Sequence, residues 1–172
     1  SLYNEWYAME HSCPELLSEF VYGLPELFRS EINKAPLIAA TGCNAAASIF
    51  ALAPFVKSET IESKGVIVDL ITGVSGAGRP PKETTTFCAV GENISPYGLL
   101  THRHTPEIEQ ALTTYTGHPT SVLFTPHLAP MNRGIIATCY GRAKYEITTD
   151  EALHQLDSFY ADEPFFVVDE RP

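Results

Sequence analysis

The sequence predicts an α+β fold: a mixed, largely antiparallel sheet with helices packed on one face. Three observations carry this. Strand-like and helix-like segments alternate unevenly, and several strands follow one another with no helix between them. No GxGxxG follows a first strand, which argues against a doubly wound dinucleotide-binding start. The chain has 172 residues, 44% of them hydrophobic, enough to bury one core, and no stretch reads as a linker between two domains.

The elements follow in order. Pro14 and Pro25 each suit a first helical turn, where the missing N–H costs nothing, so 14–20 and 25–33 are read as short helices. Leu37–Ala40 reads as a short strand ending at the Thr41-Gly42 turn. Residues 44–56 are apolar on nearly every side, which predicts a buried helix that Pro54 should kink or end early. Val66–Ile71 is a buried strand and 73–81 a glycine-rich loop; 84–90 is read as a strand. Thr105-Pro106-Glu107 reads as an N-cap, a first-turn proline and an acid at the positive helix end, opening a helix to about Tyr115 that stops near Gly117. Strands are expected at 121–125 and 134–140. Thr148 and Glu151 have capping-box spacing for a helix to about Tyr160, and 165–168 is read as a last strand.

Composition narrows the function. Asp and Glu number 21 against 11 Lys and Arg, a net charge of −10 that ill suits nucleic acid. No apolar run reaches the roughly 18 residues of a membrane span, and no basic-then-apolar start reads as a signal peptide. The cysteines at 13, 43, 88 and 139 show no CxxC spacing, so reduced thiols in the cytoplasm are expected. His11-Ser12-Cys13 and His102-Arg103-His104 lack zinc-ligand spacing, and no metal is expected.

Three features could carry chemistry. Cys43 lies between a strand end and a helix start, where free N–H groups favour a thiolate, and Gly42 permits the turn that exposes it; the competing reading is a small buried hydrophobe. His102 and His104 alternate just before a helix, so in extended backbone both point the same way, one as acid/base and the other orienting substrate. Gly73 to Arg79 could cradle an anion on its amides, with Arg79 as a fork. Arg133 could bind a carboxylate, although a surface arginine is the plainer reading. Glu26 could meet a cation, but capping explains it as well. His118, His127 and His154 carry no functional expectation.

These pieces resemble one family, the N-acetyl-gamma-glutamyl-phosphate reductases of arginine biosynthesis, within the aspartate-semialdehyde dehydrogenase group. The matching stretches are Val21 to Leu27, Gly42-Cys43, Gly73 to Arg79, Pro96-Tyr97-Gly98, His102 to Ile108, and Phe124 to Leu128 with Arg133-Gly134-Ile135, in the family's order. The resemblance implies that residues 1–172 form a catalytic and dimerisation domain like the C-terminal domain of glyceraldehyde-3-phosphate dehydrogenase. It also implies that the Rossmann half binding NADP(H) lies outside the chain, leaving it inactive alone. It makes Cys43 the nucleophile that forms a thioester from a small acyl phosphate, and His104 the acid/base, with His102 the second choice. Ser75, Gly76, Ala77 and Gly78 would face the cofactor. Asn44, Arg79, Arg103, Glu107 and Arg133 would face substrate. A homo-oligomer, dimer or tetramer, is implied.

One departure matters. The family usually carries Tyr-Pro-Thr after the nucleophile, where this chain has Asn44-Ala45-Ala46. An asparagine there resembles the reductases acting on carrier-protein-linked aminoadipate or glutamate phosphate. A Cys-His acyltransferase or hydrolase needing no redox cofactor also fits the order of residues. So does a non-enzymatic dimerisation module with a merely buried cysteine.

Overall fold

The computed structural model describes residues 2–80 and 82–170. At its centre is β3 (Val66–Gly73), whose Val66, Val68 and Leu70 are fully buried while Ile67 and Asp69 face out. That period of two is what a half-buried strand requires. β3 pairs in parallel with β5 (Val122–Ala129) and antiparallel with β6 (Ile135–Tyr140). The two-residue β4 (Ser95–Pro96) closes the other edge against β5, giving the order β4-β5-β3-β6. The sheet is therefore mixed. Two of its three seams are antiparallel, but the longest, β3–β5, is parallel.

Two helices cover its inner face. α3 (Cys43–Lys57) brings Ala45, Ile49, Leu52, Ala53 and Val56, and α5 (His104–Thr116) brings Ile108, Ala111 and Leu112, into one core with β3 and β5. The outer face is left bare: Ile67, Leu123, Ile136 and Tyr140 are all exposed. The register sets Leu123, Ile67 and Tyr140 side by side across it.

The N-terminal part departs from the sequence reading. After α1 (Leu2–Tyr7), residues Pro14–Glu19 form a 3-10 helix, and β1 (Phe20–Gly23) follows. β1, α2 (Pro25–Ile32) and β2 (Leu37–Ala40) make a small parallel unit separate from the main sheet. A Cβ on Gly23 would come within 2.8 Å of Ile38, so glycine lets the two strands approach.

Other expectations are corrected too. Residues 84–90 are not a strand: Glu83–Thr85 is a 3-10 turn and α4 (Phe87–Val90) one helical turn. Thr85 and Thr86 hydroxyls bond back to the carbonyls of Lys82 and Glu83, local bonds that compete with a ladder. Within 73–80, Val74–Ala77 forms a 3-10 turn; Pro81 lies outside the described residues. Residues 165–168 pair with no strand, and Phe165 and Val167 are 93% and 88% exposed. Phe166 packs, stacking on Tyr160 at 3.9 Å. α6 (Thr149–Phe159) has the expected capping box of Thr148 and Glu151.

Pro54 does not end α3, which runs on to Lys57. A proline there leaves the carbonyl four residues back, at Phe50, without its helical donor. The Tyr160 hydroxyl takes that place, donating to the Phe50 carbonyl at 2.7 Å. Tyr160→Phe should therefore cost about 1 to 2 kcal/mol. In urea unfolding the midpoint falls while the slope m is unchanged.

Candidate active site

The β2–α3 turn delivers Cys43 as the first residue of α3, exposed, at the positive end of a 15-residue helix. Gly42 has φ −72 and ψ 143, which any residue adopts, so its role is not the turn geometry expected from sequence. A Cβ there would collide with Nε2 of His104 and lie 2.9 Å from its Cδ2 and 3.0 Å from Oε2 of Glu107. Gly42 is the gap into which the His104 ring fits, one residue from the thiol.

α5 begins two residues earlier than the sequence suggested. His104 is its first residue, and Thr105 and Pro106 lie inside the first turn, so Thr105 is not the cap. Three residues on, Glu107 ties distant segments together. Its Oε1 accepts the Gly42 N–H at 2.7 Å and the Tyr22 hydroxyl at 2.8 Å. Tyr22 also meets the Thr41 hydroxyl at 2.6 Å. Oε2 lies 3.8 Å from Nε2 of His104. Burial pushes His104 below the ordinary imidazole range; Glu107 opposes this and Arg103 adds to it. Its Nδ1 is buried and has no hydrogen-bond partner among the described residues.

His102 is held differently. Its Nδ1 accepts the His104 backbone N–H at 3.2 Å, which puts its own ring proton on Nε2. The ring packs against Tyr97 and Phe124, with centroids 5.3 and 5.2 Å away. Burial, then His104 and Arg103, push it down to about 4, so it is neutral near pH 7. A Cβ on Gly98, at φ 58, would sit 3.0 Å from this ring. Asn44, 3% exposed, lies beside the thiol: the Cys43 thiol donates to its Oδ1 at 3.6 Å, and its Nδ2 donates to the Tyr97 hydroxyl at 3.2 Å.

Cys43, Asn44, Tyr97, His102, His104 and Glu107 face one cavity of about 890 Å³, which Gly76 and Ala77 also line, while Tyr22 and Thr41 stand off the lining. Ser75 and Gly78 stand in the same turn but off the lining, and the exposed Arg79 and Arg133 are also outside it. Among the described lysines and arginines, those that line it are Lys82 and Arg103, the latter resting 4.7 Å from the Tyr7 ring. Sequence reasoning missed Tyr22, Thr41, Tyr97 and Lys82. Tyr22 and Tyr97 lie in stretches that carried the family resemblance, but nothing local marked their hydroxyls. Glu26 points elsewhere, its Oε2 buried without a hydrogen-bond partner among the described residues.

Residues 43–171 match the family model of the semialdehyde dehydrogenase dimerisation domain. The chain belongs to the semialdehyde dehydrogenase family. It is 46% identical to the N-acetyl-gamma-glutamyl-phosphate reductase of Clostridium novyi, over 96% of this chain and 48% of that protein. It is likewise 46% identical to the enzyme of that name from Dehalococcoides mccartyi strain BAV1, over 100% of this chain and 50% of that protein. The chain thus spans about half the length of these curated relatives. Aspartate semialdehyde dehydrogenase II from Vibrio cholerae superposes with TM-score 0.65 at 16% identity, over 86% of this chain and 51% of that one. The Candida albicans enzyme, solved with NADP, gives 0.54 at 12%, over 80% and 44%. At such identities these two structures speak for the semialdehyde dehydrogenase fold alone.

Proposed function

We propose that this chain is the catalytic and dimerisation unit of an NADPH-dependent N-acetyl-gamma-glutamyl-phosphate reductase. The observation that carries the reading is one cavity holding an exposed thiol at a helix start and an imidazole wedged against the residue before it. The names of the relatives supply the substrate class.

Cys43 attacks the acyl phosphate carbonyl; the C–S bond forms, the C–O bond to phosphate breaks, and a thioester remains. His104 takes the thiol proton as the sulfur attacks. Gly76 and Ala77, small residues that line the cavity, would leave room for the nicotinamide of NADP(H), which would supply the hydride that reduces the thioester. His104 returns its proton to the oxyanion, then removes it as the thiohemiacetal collapses to the semialdehyde and frees the sulfur. Lys82 and Arg103 offer the phosphate positive charge. Dinucleotide binding falls to residues beyond 1–172.

The bare outer face of the sheet, with Ile67, Leu123, Ile136 and Tyr140, is the surface for a second copy; the family description as a dimerisation domain supports this. No helix among the described residues is long and apolar enough to cross a membrane. Asn44, in place of the family's usual tyrosine, favours a second reading in which the acyl phosphate is carried on a protein.

The test is to mix the full-length protein with N-acetyl-gamma-glutamyl phosphate without NADPH, quench in acid, and weigh the Cys43 peptide. An acylated Cys43 peptide is expected. Semialdehyde formation with NADPH and no such adduct overturns the covalent route. Turnover of the adduct by water alone favours a hydrolase.

A further inference from the structure

We infer that Asn44 is a positioning residue whose side-chain amide serves both protonation states of the Cys43 sulfur, turning over between them with the Tyr97 hydroxyl as its counter-partner. The inference rests on the reading of Cys43 as the nucleophile and adds what keeps that nucleophile poised.

The argument starts from a buried amide. Asn44 is 3% exposed, so its oxygen and nitrogen both need partners within the protein. With the thiol, both have one. The S–H donates to Oδ1 at 3.6 Å, and Nδ2 donates to the Tyr97 oxygen at 3.2 Å. When the sulfur loses its proton, an amide oxygen facing it becomes repulsive. Turning the amide by half a revolution places Nδ2–H against the thiolate and Oδ1 against Tyr97. A hydroxyl both donates and accepts, so Tyr97 then gives its proton to Oδ1. Burial holds the Tyr97 phenol above its ordinary range, so that proton is available. Every buried polar atom of the group is satisfied in both states, and only the ionised state gains a charge-assisted bond. The backbone of Asn44 is fixed independently, its carbonyl accepting the Ser48 hydroxyl at 2.8 Å. The thiolate is regenerated when the thiohemiacetal collapses, and this is the state the turned amide stabilises.

Besides Cys43, the charged and titratable groups around the same cavity are Tyr7, Lys82, Tyr97, His102, Arg103, His104 and Glu107. A substitution at Asn44 touches one of them directly, Tyr97, whose hydroxyl loses the hydrogen bond from Nδ2. The experiment is alkylation of the full-length protein by iodoacetamide across pH, read peptide by peptide. In Asn44→Ala the midpoint of the Cys43 curve moves up by about one pH unit. Because nucleophilicity rises with basicity, the plateau rate rises about threefold and the rate at pH 7 falls about threefold. Asn44→Asp, equal in shape but unable to donate, moves the midpoint further in the same direction. Exposed Cys88 is the internal reference. Cys139, whose thiol burial pushes up to about 11, reports folding through its protection. A Cys43 curve that stays put in the Ala variant with Cys139 still protected overturns the inference. If the Ala variant fails to fold, a curve in the Asp variant that stays put or moves down overturns it. Failure here with the acyl adduct on Cys43 intact leaves the reductase reading standing. A moved curve with no adduct removes that reading while the role of the amide stands.

Discussion

Cys43→Ser in the full-length protein should lower reduction of the acyl phosphate by four orders of magnitude or more, while NADPH binding persists. Removing an activated nucleophile from a site that works as a unit costs on the order of 10⁴ to 10⁶ in rate. Serine keeps the size of the side chain and its place at the start of α3, so the helix and the Gly42 turn are undisturbed. It loses the acidity that lets a sulfur ionise near neutral pH. Tritrated fluorescence of NADPH measures binding, and release of the semialdehyde measures turnover. Retained turnover removes Cys43 from the covalent role.

His104→Gln should cost about 10² to 10⁴ in kcat, the range for losing a positioned acid/base. The neighbouring His102→Asn should stay within about tenfold of the parent, because asparagine can still accept the His104 backbone N–H and only one hydrogen bond is at stake. The difference follows from how the two rings are held. His102 is neutral, its Nδ1 committed to the backbone. His104 has its Nε2 against Gly42 and within 3.8 Å of Glu107. The sign of the pH dependence also follows. Burial lowers the His104 value, so its neutral form persists below the ordinary 6.5. The acid limb of kcat/KM set by this ring therefore lies below pH 6.5 and disappears in His104→Gln. Equal losses in the two variants would give the acid/base role to both rings or to neither.

Much of the fold was legible because local chemistry decided it. The run Val66 to Ile71 could only be a buried strand, and the Thr148–Glu151 box announced α6 before any contact was known. Elsewhere the pattern and the physics parted. Phe165 to Val168 has strand composition but pairs with no strand among the described residues. Pro54 has the composition of a helix end, yet Tyr160, 110 residues from Phe50, supplies the bond the proline removes. The site divided the same way. Cys43, His102 and His104 were readable from their places beside helix starts. Lys82 and Tyr97 were not, because only the folded chain brings them to the cavity. Nor was the true reason for Gly42, which is space for a ring 62 positions later rather than backbone freedom.

The Glu107 carboxylate gathers β1 through Tyr22, the β2–α3 turn through Gly42, and the first turn of α5. The setting of the Cys43 thiol is thereby made a non-local property: its address depends on a helix that begins 61 residues downstream of it. A sequence change in any one of the three segments reaches the other two through a single oxygen atom. Evolution can then shift the surroundings of Cys43 from afar, but cannot alter these segments independently of one another.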